Sequence, residues 1–182
     1  DAGIGRVQSI NPLTGAKTNV TGMTSSGLVN NGSTRLGVRG VEDLGGGLKA
    51  GFNFETGLSL NDGAANAVFW QRAANLWIGG NWGTFLMGRT LTPSFYGAAT
   101  YELTGMANYS ALANAYGWGA KIHRNNSQFT YTTPNMGGFS ASVGYVAKDN
   151  NGGNSIWDLN AIYANGPIGI ALSANKTQTQ KT

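Results

Sequence analysis

Cysteine is absent from the 182-residue sequence, which excludes disulfide staples and thiolate chemistry and leaves the redox compartment open. Histidine occurs once, at His123, so a histidine-rich zinc site is excluded and a catalytic triad is not expected. Charged side chains make up only 11% of the residues, and a formal net charge of +4 is too mild and too scattered to be a nucleic-acid footprint. Neither a nucleic-acid partner nor a cofactor is expected, and nothing points to an enzyme. Long apolar runs are also missing. The uncharged stretch 103–120 carries Thr, Asn, Ser and Gly throughout, whereas a membrane-spanning helix needs roughly 20 sustained apolar residues. No basic-then-apolar leader opens the sequence, so any signal peptide is expected to have been removed already or never to have been part of these residues.

What is present pulls two ways. Glycine numbers 29 without a collagen-like period, and aromatic residues reach 10%, so much of the surface is expected to face something other than water. Mean hydropathy is nonetheless only -0.19. A β-barrel in lipid reconciles these facts, because each strand shows one residue to hydrocarbon and the next to a wet lumen.

Period-two alternation is the dominant pattern. In residues 139–145, Phe139, Ala141, Val143 and Tyr145 share one face, with Ser140, Ser142 and Gly144 on the other. Trp157, Leu159, Ala161 and Tyr163 likewise oppose Asp158 and Asn160, and Ile168, Ile170, Leu172 and Ala174 oppose Gly169, Ala171 and Ser173. Further segments begin near Thr34, Leu48, Ala73, Thr84 and Asn126, and residues 1–7 read as a cut strand. The total is about nine strands, each near the length a tilted membrane strand requires.

Connections alternate in length. Short turns lie at Asp43-Leu44-Gly45-Gly46, Gly79-Gly80-Asn81-Trp82, Pro134-Asn135-Met136-Gly137 and Asn165-Gly166-Pro167. Longer links span 8–32, 58–69, 90–123 and 148–154. Short connections on one rim and long ones on the other are the arrangement of an outer-membrane barrel. The 90–123 link holds Phe95, Tyr96, Tyr101, Tyr109, Tyr116 and Trp118, which argues against disorder, and it is read as a loop that narrows the pore or, alternatively, as an external lid. Trp70, Trp77, Trp82, Phe85, Tyr145, Trp157 and Tyr163 suit interfacial aromatic girdles or contacts between subunits.

Parity places charges as well. With Leu36 and Val38 toward lipid, Arg35 and Arg39 point inward; with Phe129 and Tyr131 toward lipid, Arg124, Gln128 and Thr130 do. Glu55 shares parity with Lys49 and Asn53, opposite Phe52 and Phe54. Arg72 shares parity with Leu76 and Ile78, so it reaches a lumen only through a bulge or from beyond the regular strand. Like charges about 8 Å apart repel by roughly 0.5 kcal/mol in water but roughly 2 kcal/mol at an effective dielectric of 20, so unpaired arginines call for a hydrated interior.

Three runs resemble a known family. Ser33-Thr34-Arg35-Leu36-Gly37-Val38-Arg39-Gly40-Val41-Glu42-Asp43-Leu44-Gly45-Gly46-Gly47-Leu48-Lys49-Ala50 is similar to the second strand, turn and third strand of Gram-negative general porins of the beta-proteobacterial type. Asn81-Trp82-Gly83-Thr84 through Gly88-Arg89, and Tyr131-Thr132-Thr133-Pro134-Asn135-Met136-Gly137-Gly138-Phe139, resemble that family's later turns and strands. The resemblance implies a homotrimer of transmembrane antiparallel barrels of about 16 strands in the bacterial outer membrane, among lipid and lipopolysaccharide, with the third external loop folded inward. It also matches Arg35, Arg72 and Arg124 to a basic ladder at the constriction and Glu102 to an acidic residue on the inward loop. Arginines facing an acidic loop set a transverse field. The expected function is passive diffusion of ions and small hydrophilic solutes with a mild preference for anions. Relative to the family, the sequence starts inside the first strand and lacks the C-terminal strands with their terminal aromatic. An odd strand count leaves two bare edges, so residues 1–182 are expected to be one incomplete barrel domain.

Other motifs yield to this reading. Gly45-Gly46-Gly47-Leu48-Lys49-Ala50 fits a phosphate-binding spacing, but that motif needs a following helix, and alternation follows instead. Asp62, Glu42 with Asp43, and Asp158 read as turn or lumen carboxylates rather than a glycosidase pair. The rivals are a soluble carbohydrate-binding β-sandwich and a barrel acting as an adhesin or an enzyme. Extraction separates the sandwich from the barrel: the protein is expected to appear only in detergent or lipid, and a monomer stable in aqueous buffer is the result the sandwich requires.

Overall fold

The computed structural model describes residues 1–27, 29–117 and 123–179. It contains ten strands among these residues: β1 (Ala2–Ile10), β2 (Lys17–Ser25), β3 (Arg35–Gly45), β4 (Leu48–Gly57), β5 (Ala73–Gly80), β6 (Gly83–Leu91), β7 (Arg124–Thr132), β8 (Phe139–Val146), β9 (Ser155–Asn165) and β10 (Ile168–Gln178). Strands β3 to β10 form one antiparallel sheet in sequence order, each paired with the next, so β3 and β10 are its two edges. Two short helices, α1 (Pro93–Ala99) and α2 (Ala111–Gly117), lie between β6 and β7.

The expected count of nine is corrected to ten, because β2 lies inside the 8–32 link. Thr18, Val20, Thr21 and Thr24 give this segment β-branched character, but Val20 and Met23 do not alternate, so no period-two signal marks it. The first segment is a strand, but it pairs with β2 in a separate two-stranded sheet rather than with β3.

Two faces follow from the register. On one face Phe54 stands beside Ala74, Met87 beside Phe129, Tyr131 beside Val143, Tyr145 beside Trp157, and Leu172 beside Ala161. Aromatic contacts reinforce these pairs, with ring centroids 6.2 Å apart for Phe85 and Phe129 and 4.6 Å for Tyr145 and Trp157. The other face carries Thr132, Ser142, Asn160 and Ser173 in one row across β7 to β10. Burial is inverted relative to a water-soluble fold: Gln128 and Thr56 are fully covered, while Leu172 is 67% exposed and Ile170 54%. Trp77 departs from the girdle reading. It sits on the polar face between Gly51 and Leu86, and a Cβ on Gly51 would lie 2.6 Å from its ring. Glu42 falls on the apolar face three residues before the β3–β4 turn, at the level where a barrel rim meets water.

Turn chemistry sets the connections. The two residues between Gly45 and Leu48 are Gly46 and Gly47, with φ of +60° and +81°, the left-handed pair that a tight hairpin of this hand requires. The β5–β6, β7–β8 and β9–β10 connections gather at the same end of the sheet, and the long connections at the other. Replacing outward-facing Val143 by Arg is expected to destabilise folding into lipid vesicles by about 2–4 kcal/mol, whereas Arg at inward-facing Ser140 costs less than about 1. Equal losses in a urea titration of both variants contradict the assignment of faces.

Candidate functional site

The polar face is not open: residues after β6 fold across it. Thr92 caps α1, its side chain accepting a hydrogen bond from the Phe95 amide at 3.2 Å, and Pro93 opens the helix where no amide partner is needed. The helix lies on the inner side of β9 and β10. The Ser94 amide and hydroxyl both donate to Asp158, the hydroxyl at 2.9 Å. Asn160 donates to the Pro93 carbonyl at 2.8 Å, and the Ser173 hydroxyl to the Ser94 carbonyl at 2.9 Å. Further along, the Tyr101 hydroxyl donates to the Tyr163 carbonyl at 2.8 Å. The segment then reaches the residues preceding β3, where Asn108 donates to the Gly27 carbonyl at 3.1 Å and Tyr109 to the Asn31 side chain at 3.1 Å. Thus the long connection is an inward-folded loop rather than an external lid. Trp118, one of the aromatics expected in it, lies outside the described residues.

A basic cluster occupies the wall away from α1. Arg72 lies one residue before β5, and its Nε donates to Glu55 at 2.6 Å. Arg35 approaches the other oxygen of Glu55 at 3.9 Å and keeps its side chain 57% exposed. Arg124 donates from Nε to the Arg72 carbonyl at 2.8 Å. Arg39 faces inward opposite Asn53, one pair further along β3 and β4, and is exposed. The charges of Arg124 and Glu55 both reach Tyr96 on α1, so helix and cluster share one region of the interior.

Two features of this site escape simple alternation. The β6–β7 register shifts between Gly88 and Thr90, and Ser127 takes a positive φ of 49°, so Asn125 rather than Arg124 shares the inner face with Gln128. Asn125 donates to the Gln128 side chain at 2.8 Å. Arg124 joins the cluster from the first residue of β7, not by the parity that suggested it. The charge of Arg89 also acts on Arg124 and His123, although its parity with Phe85 and Met87 points it toward lipid. Its guanidinium bonds the Gln71 carbonyl and the Asn126 side chain at 2.5 Å each. The sequence signal for it is an arginine on an apolar face immediately after a glycine, here Gly88 with φ of +125°.

Glu102 does not meet these arginines. Its carboxylate accepts from the Met106 amide at 2.7 Å, the Ser110 hydroxyl at 3.0 Å, and the Thr104 amide and hydroxyl. The Met106 amide, with the Thr104 and Ser110 hydroxyls, holds it below the usual carboxylate range. Its local work is to close the turn that leads into α2, whose Ala113 amide donates to the Ser110 hydroxyl at 3.1 Å.

An antiparallel sheet that is apolar outside and polar inside, with a loop laid across its inner face and arginines beside it, is the wall of a transmembrane β-barrel with a hydrated interior. A family model for Gram-negative porins matches residues 1–182. Outer membrane porin protein 32 of Delftia acidovorans is 36% identical over 160 residues, covering 81% of this chain and 45% of that protein. The chitoporin of Vibrio furnissii is 32% identical over 152 residues, covering 78% and 40%. Among solved structures, the anion-selective porin from Comamonas acidovorans aligns at a TM-score of 0.73 and 27% identity, covering 98% of this chain and 59% of that one. OmpT, an outer membrane protein of Vibrio cholerae, aligns in its trimer form at a TM-score of 0.63 and 16% identity, covering 98% and 52%. This chain belongs to the Gram-negative porin family, whose place is the outer membrane. It spans less than half the length of these two curated relatives.

His123 stands at the junction of the loop and β7, its backbone carbonyl accepting from the Thr92 amide at 3.0 Å. Burial, and then the positive charges of Arg124, Arg89 and Arg72, hold its imidazole below the ordinary value of 6.5. A depressed histidine favours the folded state above its unfolded value, and that contribution is lost as pH falls through it. Thermal unfolding in detergent is expected to lose stability between about pH 7 and pH 5, with His123→Gln reducing the loss. A pH slope identical in wild type and variant contradicts this.

Proposed function

We propose that this chain forms part of the wall of a passive diffusion channel for ions and small hydrophilic solutes, a pore rather than a catalyst, with a mild preference for anions. One observation carries the reading. Beside the inward loop, Arg35 and Arg72 share a single carboxylate, Glu55, and the charge of Arg124 acts on this group as well, so three guanidinium groups face one acid. Such a surplus is tolerable in a hydrated passage and raises the local concentration of anions there. That a relative is described as anion-selective agrees with this sign. Arg39 adds to the same wall, while Glu102, spent on its own turn, opposes it weakly.

The channel requires closure. Strands β3 and β10 each present eleven residues of edge, and lipid supplies no partner for unpaired backbone groups, so further strands complete a barrel of about 16. Residues 1–182 are read as one barrel domain, incomplete without those strands. A homotrimer in contact with outer-membrane lipid or lipopolysaccharide suits the continuous apolar outer face, and the trimeric state of the OmpT neighbour accords with it.

Planar-bilayer recording of the full-length protein tests this. Stable open steps are expected, and in a salt gradient the double variant Arg35→Ser and Arg124→Ser shifts the zero-current potential toward cations. The shift shrinks with salt, since the Debye length falls from about 10 Å at 0.1 M to about 3 Å at 1 M. An unchanged potential removes these arginines from the selectivity mechanism, and the absence of steps removes the channel.

A further inference from the structure

Asp158 is 2% exposed, a carboxylate on the inner wall placed under α1. Burying a carboxylate is costly unless charge-assisted hydrogen bonds replace its water, and both donors of Ser94 are directed at it. The fit around it is specific. Asp158 stands between Gly144 on β8 and Asn175 on β10. A Cβ on Gly144 would come within 3.1 Å of the Pro93 ring, so the wall is hollowed where the helix begins. On the helix, a Cβ on Gly97 would collide with the Ser173 hydroxyl and lie 3.0 Å from Asn160. Wall and helix are thus mutually recessed at two glycines and tied by Asp158, Asn160 and Ser173. By contrast, at the loop's far arm the Tyr109–Asn31 bond is solvent-exposed and Asn108 is only partly covered.

We infer that Asp158 is the positioning residue of the inward loop: with Asn160 and Ser173 it fixes α1 against the β9–β10 wall and so sets the aperture between Tyr96 and the arginine cluster. The inference deepens the channel reading and rests on it. Asp158 acts through shape and hydrogen bonding, not through its charge in the passage, because it is buried and its two oxygens accept from Ser94.

The variants Asp158→Asn, Asp158→Ala and Gly97→Val in the full-length protein separate these roles. Asparagine keeps the size and can still accept from the Ser94 amide and donate to its hydroxyl, so conductance and zero-current potential stay at wild-type values. Alanine leaves Ser94 without its acceptor, and valine wedges the helix off the wall with Asp158 intact. Both are expected to raise single-channel conductance about two-fold, increase open-channel noise and weaken selectivity. Barrel assembly is followed by heat-modifiable electrophoretic migration. If Asp158→Ala fails to assemble, Gly97→Val decides alone. Equal changes in Asp158→Asn and Asp158→Ala overturn the inference in favour of a field effect, and wild-type conductance in the assembled alanine or valine variant overturns it outright. A wild-type protein without conductance steps brings down the channel reading itself, an outcome distinct from a conducting wild type with unaltered variants.

Discussion

Hydrocarbon offers no hydrogen-bond partner, so every N–H and C=O of a segment crossing a membrane must be satisfied by neighbouring segments of protein. That requirement organises this chain. It accounts for a sheet of eight strands paired in sequence order, joined at one end by short turns rich in glycine. It also explains why the side chains are distributed inside out, with Ile170 and Leu172 outward and Gln128, Thr56 and Asn160 covered. In such a fold the usual hydrophobic core is replaced by a solvent, lipid, on one side and by a hydrogen-bonded interior on the other.

The interior is made specific by the loop between β6 and β7. A hydrated tube lined by Thr, Ser and Asn would have little discrimination of its own. Laying α1 on β9 and β10 takes up cross-section on that side, while Arg35 and Arg39 stand on the inner face of β3. Polar groups do both jobs, holding the helix through Asp158, Asn160 and Ser173 and tying Arg35 and Arg72 to Glu55 and Arg124 to the Arg72 carbonyl on the strands before it. The buried polar groups near the helix are fully engaged with one another, as a network in a low-dielectric setting must be if it is to fix one arrangement.

Alternation was the legible part. A period of two, read from Phe139, Val143 and Tyr145 or from Ile170 and Leu172, is a local property of the chain and survives into the sheet unchanged. Turns at Gly46-Gly47 and Gly166-Pro167 were legible for the same reason, since their backbone geometry depends on the residues themselves. β2 was not, because both its faces are largely exposed and no burial had imposed a period on Val20 and Met23. Trp77 was misplaced among the girdles because an aromatic on the lumen face looks the same in sequence as one in a belt.

By itself the sequence determined the class of protein, the period of its strands, the sorting of short and long connections, and the presence of inward-pointing charge. Tertiary structure decided which charges meet. One bulge on β7 at Ser127 changed the route of Arg124, and no periodicity could reveal it, because a single inserted residue inverts parity beyond it. The partners of Glu102 and Asp158 were likewise beyond sequence: one carboxylate closes its own turn and the other holds a helix 64 residues earlier in the chain. Contacts of that separation exist only once the sheet has curved and the loop has folded back across it.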